Sequence, residues 1–325
     1  MPDAVGIIAN PQSGKDTRRI TADATVINNH DKVGIVRRVF RALARLGVER
    51  VLVMPDEFGI GLRATDAAGV AVEMLAMEIE GTARDSEEAA RRMAPDVSCI
   101  ITLGGDGTNR AVARGSADTP LLPISTGTNN VFPMTIDGTV AGMAAAGLAL
   151  GIVSATEVCW RSKAIVVAVD SSTDLALVDA AITTEAFVGA KAVWDPSIVT
   201  FLMVTQAAPS NIGLSSVAGM LAPIGREEPL GLAVELGASL ATILAPIAPG
   251  RLQPISVRRW ERVAPGYRRC FRATRAGTIA LDGEREVTFL PGQEICLELT
   301  TAGPLVMRPY VTVALMAERA AFRLR

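Results

Sequence analysis

Residues Gly104 to Thr108 read Gly-Gly-Asp-Gly-Thr, and these residue types at this spacing suit one kind of chemistry, the handling of phosphate. Glycines let a backbone approach a polyphosphate without Cβ hindrance, and a helix N-terminus just beyond offers unpaired N–H groups and a favourable dipole. Asp106 is the residue that could react. A carboxylate beside phosphates is repelled unless it holds a metal ion or takes a proton from an attacking hydroxyl, the two tasks of phosphoryl transfer. Asp and Gly are also ordinary residues of a tight turn, so the pentapeptide alone does not separate a catalytic Asp106 from a turn-forming one.

The flanking elements favour a ligand site. Val97 to Leu103 is a continuous apolar run of buried-strand character and Asn109 to Ala117 is helix-like, which puts the glycine turn at a strand's carboxyl end, where open α/β sheets bind ligands. Two more polar turns follow strands. Ala4 to Ala9 runs into Asn10-Pro11-Gln12-Ser13-Gly14-Lys15, and Pro120 to Ile124 runs into Ser125-Thr126-Gly127-Thr128-Asn129-Asn130-Val131-Phe132-Pro133. The first of these is not a Walker A loop, because Ala9 stands where a glycine is needed and Asp16 where Ser or Thr would hold magnesium.

Between them, Val33 to Leu46 has helical periodicity, Val51 to Met54 reads as a strand, and Ala67 to Glu80 and Ser86 to Met93 read as helices. Such alternation predicts a doubly wound parallel sheet in an N-terminal α/β domain. After an Ala-rich helix, Thr139 to Ile152, strand-like runs dominate at Lys163 to Val169, Leu175 to Thr183, Ser197 to Val204, Gly277 to Leu281 and Glu294 to Leu299. We therefore expect an α/β nucleotide-binding domain over 1–135 and a β-rich, sandwich-like substrate domain over 136–309. The tail, 310–325, reads as strand then helix and is expected to pack back on the first domain.

At 325 residues, with 49% apolar and 20% charged residues, the chain can bury two cores. A net charge of -2 and 4% aromatic residues give no reason to expect a nucleic acid or an anionic membrane as partner. Cys99, Cys159, Cys270 and Cys296 are scattered without metal-ligand spacing and read as reduced core residues. No export signal or membrane-spanning run is apparent, which predicts a cytoplasmic protein. The single histidine, His30, sits in a polar segment, reads as a solvated loop residue, and argues against catalytic triads and multi-histidine zinc sites. Seven arginines between Arg258 and Arg275 either line an anion cleft on a basic strand pair or face solvent.

Taken together, the three turns resemble, in order and spacing, the superfamily of NAD kinases and diacylglycerol-type lipid kinases. Residues 125–133 are most similar to the ATP-NAD kinase branch that includes acetoin catabolism protein X. The resemblance implies an α/β domain and a β-sandwich domain, with ATP, a divalent cation such as Mg2+, and a hydroxylated small-molecule substrate meeting between them. It implies Asp106 as catalytic carboxylate, and Gly104, Gly105, Gly107, Thr108, Asn10, Ser13 and Gly14 as ATP contacts. Gly127, Thr128, Asn129, Asn130 and Asp179 are implied in substrate binding, and Asp282 of Leu281-Asp282-Gly283-Glu284 as a metal ligand.

Departures accompany the match. Val178 replaces the amide that NAD kinases carry before the residue matching Asp179, and Asp179 could equally be a polar residue on a strand's solvent face. Asp282-Gly283 is also the ordinary hairpin turn. Arg110 and Ala111 stand where lipid kinases have Asn and Glu. The expected activity is ATP-dependent phosphorylation of a hydroxyl, with the 2′-hydroxyl of NAD first among acceptors. A lipid or other small alcohol is the second acceptor class, and a non-catalytic nucleotide-binding regulator the third reading. A homo-oligomer without stable membrane association is expected.

Overall fold

The computed structural model describes residues 3–14, 27–127, 130–185 and 195–323. Strands β1 (Ala4–Ala9) and β4 (Val97–Gly104) are buried along their whole length, as unbroken apolar runs require when both faces of a parallel sheet are covered. They pair in parallel at the centre of a seven-stranded sheet ordered β3-β2-β1-β4-β5-β17-β6. The others are β2 (Arg50–Val53), β3 (Ala71–Met74), β5 (Leu121–Ser125), β6 (Cys159–Arg161) and β17 (Leu305–Met307). Strand order reverses between β1 and β4, which opens a crevice at their carboxyl ends.

Helix α1 (Asn29–Leu46) covers one face. Val36, Val39, Phe40 and Leu43 form its buried stripe, an Asn28/Asp31 capping box starts it, and Gly47 at φ 97° ends it. The short α2 (Ile60–Ala64) follows β2, while α3 (Ala83–Met93) and α4 (Asp106–Gly115) flank β4 in sequence. Helix α5 (Gly138–Ala149) crosses α1 closely: a Cβ on Gly142 would lie 2.8 Å from the Val39 carbonyl oxygen. Next come α6 (Ala155–Val158) and, at the chain's end, α8 (Pro309–Glu318), which packs on α5.

The second body is an antiparallel sandwich. One sheet is ordered β12-β11-β10-β9-β14-β15 and the other β13-β16-β7-β8. Their strands are β7 (Ala164–Val169), β8 (Ser172–Ala176), β9 (Asp179–Thr183), β10 (Val199–Val204), β11 (Gly231–Ala248), β12 (Arg251–Val263), β13 (Arg268–Arg272), β14 (Gly277–Leu281), β15 (Glu284–Phe289) and β16 (Glu294–Thr300). Ile165, Val167, Ile182, Phe201, Met203, Ile279 and Leu297 fill the space between the sheets, and α7 (Leu214–Leu221) covers the outer face of the larger one. No helix among the described residues is long and apolar enough to cross a membrane.

The sandwich is an insertion in the first sheet. The chain leaves at β6 and returns at β17, its antiparallel neighbour, and the two crossings bond directly: Ser162 N–H to the Pro304 carbonyl at 3.0 Å, and Gly303 N–H to the Ser162 carbonyl at 3.1 Å. Helix α5 and strand β6, expected in the second domain, therefore belong to the first body. The signal for a domain change was a shift in residue texture, and that shift precedes the true crossing.

Other expectations also need correction. Residues 67–80 do not form a helix: Gly69 at φ 62° breaks it, and 71–74 pair with β2 as the sheet edge. His30 lies in the first turn of α1, exposed, edge-on to Phe58. Leu175 to Thr183 is two strands in two sheets, broken at Leu177-Val178. The arginine-bearing β12 and β13 are in different sheets and form no basic pair. The tail is helix alone, its strand having come earlier as β17.

Finally, not all four cysteines are reduced. Cys270 and Cys296 stand opposite each other on β13 and β16 and are disulfide-bonded, a register that linear spacing does not reveal. Cys99 and Cys159 are buried thiols, and burial pushes them up to about 12 and about 11. Protein denatured without reductant should yield two titratable thiols rather than four, countable with a chromogenic thiol reagent; four would refute the bond.

Candidate active site

Asp106 opens α4, one residue beyond the end of β4, and its side chain is turned inward. Its carboxylate accepts hydrogen bonds from the Val131 N–H at 3.1 Å and the Phe132 N–H at 2.8 Å, so the second and third turns are joined through it. The backbones of those turns also touch. A Cβ on Gly127 would lie 2.5 Å from Asn130 Oδ1 and 3.0 Å from the Gly105 Cα, and one on Gly105 2.9 Å from Asn130 Oδ1, so a side chain at either position would displace the Asn130 amide. Asn130 is held by its Nδ2 donating to Ser125 Oγ at 2.6 Å.

The first turn reaches the same place. Asn10 Nδ2 donates to Thr108 Oγ1 at 2.8 Å, Ser13 Oγ and Thr126 Oγ1 are 3.0 Å apart, and Gly14, at φ 79°, abuts the Thr126 carbonyl. All three bends thus converge at the crevice between β1 and β4. Gly104 packs under Thr108, whereas Gly107 opens onto free space at the head of α4. Thr128 and Asn129 lie outside the described residues.

Lys32 was missed from the sequence. It sits on α1, is fully buried, and its ammonium donates to the carbonyls of Asn10 at 2.9 Å and Ser13 at 2.8 Å and to Asn29 Oδ1 at 3.0 Å. The first turn is wrapped around that charge. Arg226, from the loop after α7, was also missed: it donates to the Val131 carbonyl, and its guanidinium and the Asp106 carboxylate attract each other. One compositional signal could have found Lys32. This chain uses arginine almost everywhere and keeps lysine only at Lys15, Lys32, Lys163 and Lys191, where a compact three-donor head can be required.

Asp179 and Asp282 form a second cluster. Asp179 is buried, not on a solvent face, and accepts from the Gly283 N–H at 3.2 Å. Asp282 and Gly283, at φ 53° and 81°, make the hairpin turn between β14 and β15. The Asp282 carboxylate reaches across to the broken β8–β9 corner and accepts from Leu177 N–H at 2.9 Å and Val178 N–H at 2.8 Å. Its other oxygen lies 3.7 Å from Nε of Arg110, which is one helical turn beyond Asp106 on α4. Surrounded by N–H donors and a guanidinium, Asp282 has no surroundings for a cation, and among the described residues no group of three or more His, Cys, Asp and Glu could hold a metal ion. The residue expected as a metal ligand instead ties the β14–β15 turn to the β8–β9 corner.

Burial pushes the Asp282 carboxyl above its ordinary range, outweighing Arg110 and the amide donors that pull it down. The folded chain then keeps a proton that the unfolded chain has released, so this group's contribution to stability falls as pH rises through that window. Asp282→Asn should flatten that decline in urea unfolding followed from the ordinary carboxylate range to neutrality. An unchanged slope would show the group titrating normally.

A parallel sheet whose three terminal loops meet over a helix N-terminus, facing an antiparallel sandwich, defines the NAD kinase-like class. Residues 5–141 match the ATP-NAD kinase N-terminal domain and residues 163–302 the acetoin catabolism protein X C-terminal domain. The chain is 41% identical to acetoin catabolism protein X of Cupriavidus necator over 91% of its own length and 87% of that protein, and it belongs to this family. An uncharacterized protein of Archaeoglobus fulgidus is 34% identical over 31% of this chain and 36% of its own. Among solved structures, yeast NADH kinase, crystallised with NADH, covers all of this chain and 90% of its own with a TM-score of 0.54 at 14% identity, a likeness of fold.

Proposed function

We propose that this protein is an ATP-dependent kinase that transfers the γ-phosphoryl group to a hydroxyl of a soluble small molecule, with the 2′-hydroxyl of NAD the first acceptor to test. One observation carries the reading: Asp106, a buried carboxylate at the head of a helix, stands where all three loops meet and faces a cation from the second body. In that role Asp106 orients and deprotonates the acceptor hydroxyl. The N–H groups at the open Gly107 end of α4 steady the charge on the phosphates, and Asn10, Ser13 and Gly14 form the opposite wall. Positioning and electrostatics are most of what phosphoryl transfer asks of a protein. Magnesium ordinarily travels on the nucleotide's own phosphates.

Gly127, Asn130 and the segment outside the description, Thr128 and Asn129, are proposed to border the acceptor, with Asp179 holding the corner behind it. A panel of NAD, NADH, diacylglycerol and small diols with labelled ATP tests the proposal. Transfer to NAD or another soluble alcohol supports it, and transfer to lipid alone overturns it. A second reading has its own support: a carboxylate already accepting two amide protons is a weakened base. Tight ATP or NAD binding with no transfer over hours would identify a nucleotide-binding regulator instead.

A further inference from the structure

Where the sandwich joins the first sheet, a small cleft lies between the two bodies, lined by Phe132, Trp160, Ser162, Lys163, Gln206 and Arg226. Its volume is about 10 Å³, room for one oxygen-sized atom. Phe132 ties it to the chemistry, because the N–H of that residue donates to Asp106. Two donors in the wall are unsatisfied among the described residues: Trp160 Nε1 and Ser162 Oγ are buried without a hydrogen-bond partner there, and Ser162 as a whole is only 5% exposed. Buried donors left unpaired are costly, and a pair lining one cleft indicates an absent acceptor.

The charge balance names the sign of that acceptor. Lys163 and Arg226 line the cleft; among the described residues the Lys163 ammonium spends two of its three N–H donors, on the carbonyls of Gly225 at 3.0 Å and Leu230 at 2.6 Å. Burial pushes Lys163 down to about 8, against the pull of Glu228. Glu228 is shared with Arg262 at 3.6 Å, and Asp106 is the anion facing Arg226. Arg308, whose guanidinium lies over the Trp160 ring, is already paired with Glu227. Among the described residues that line or face the cleft, Lys163, Arg226 and Arg262 stand against Asp106 and Glu228, an excess of positive charge.

We propose that this cleft is an oxyanion subsite, in which the indole N–H of Trp160, the hydroxyl of Ser162 and the charges of Lys163 and Arg226 seat one anionic oxygen of the acceptor substrate beside Asp106. The name acceptor rests on the kinase reading; the binding chemistry does not. The oxygen belongs either to the diphosphate of a dinucleotide or to a small carboxylate.

Protein labelled with ¹⁵N at tryptophan gives an indole N–H signal for Trp160, assigned by its loss in Trp160→Phe. NAD or sodium acetate is expected to shift that signal, glycerol and matched sodium chloride are not, and whichever anion acts identifies the source. Ser162→Ala and Lys163→Gln should each weaken the response by roughly tenfold or more, as loss of a hydrogen bond to a charged group does. Lys163→Gln also removes bonds to the 225–230 loop, so Ser162→Ala, checked by thermal melting, is the decisive variant. No shift with either anion, an equal shift with glycerol, or an undiminished shift in Ser162→Ala overturns the subsite. Absence of phosphoryl transfer with the shift intact would remove the kinase reading and leave the subsite standing.

Discussion

Asp106→Asn is expected to lower kcat by on the order of 10²-fold or more while leaving the fold intact, the loss typical of removing a general base. The side chain keeps its shape, and one oxygen remains to accept the Phe132 N–H that Asp106 binds at 2.8 Å. What disappears is the charge and the capacity to take a proton. The new amide also presents its own N–H donors toward the Val131 N–H, where the carboxylate had accepted, so a small loss of stability accompanies the change. Steady-state kinetics on the acceptor identified by the panel, with a thermal melt of the same sample, separates the two effects. A well-folded mutant with full activity would remove Asp106 from the mechanism.

The second large effect is expected at Lys32, whose ammonium holds the first turn in place. Lys32→Met preserves length and apolar bulk but leaves the Ser13 carbonyl and Asn29 Oδ1 without their ammonium donor, and takes from the Asn10 carbonyl its charged partner. A buried acceptor deprived of its donor costs about 1–3 kcal/mol, and these acceptors are part-buried, so a total loss of about 1–3 kcal/mol is expected in urea or thermal unfolding. The consequence should also be functional. Asn10 and Ser13 bind Thr108 and Thr126 through this turn, so the KM for ATP should rise even in the fraction that stays folded. Lys32→Arg should not rescue, because a fully buried ammonium site has no room for a planar guanidinium. Unchanged stability and KM in Lys32→Met would show that the first turn holds its own shape.

Much of this site could be read from the chain because its parts are local. The apolar runs ending at Ala9, Leu103 and Ile124, each followed by a polar glycine-containing turn, placed three loops at strand ends, and a doubly wound order brings such ends together. The parts that escaped are those fixed by distant partners. Leu177 and Val178 read as strand interior, yet their N–H groups turn to Asp282 and break the strand in two. The Cys270–Cys296 bond depends on the register of β13 against β16, which no spacing in the chain encodes. Lys32 lies just before the helix read at Val33 to Leu46, and only the turn wrapped around its head explains why it is buried. Arg226 lies in a loop whose path over Val131 follows from tertiary packing alone.

The sandwich leaves the first sheet and rejoins it through two segments that touch, Ser162 beside Gly303 and Pro304. An excursion of 140 residues whose ends are one hydrogen bond apart exerts no pull on the scaffold that carries it. The sandwich can therefore be exchanged as a cassette without rebuilding the parallel sheet that carries it.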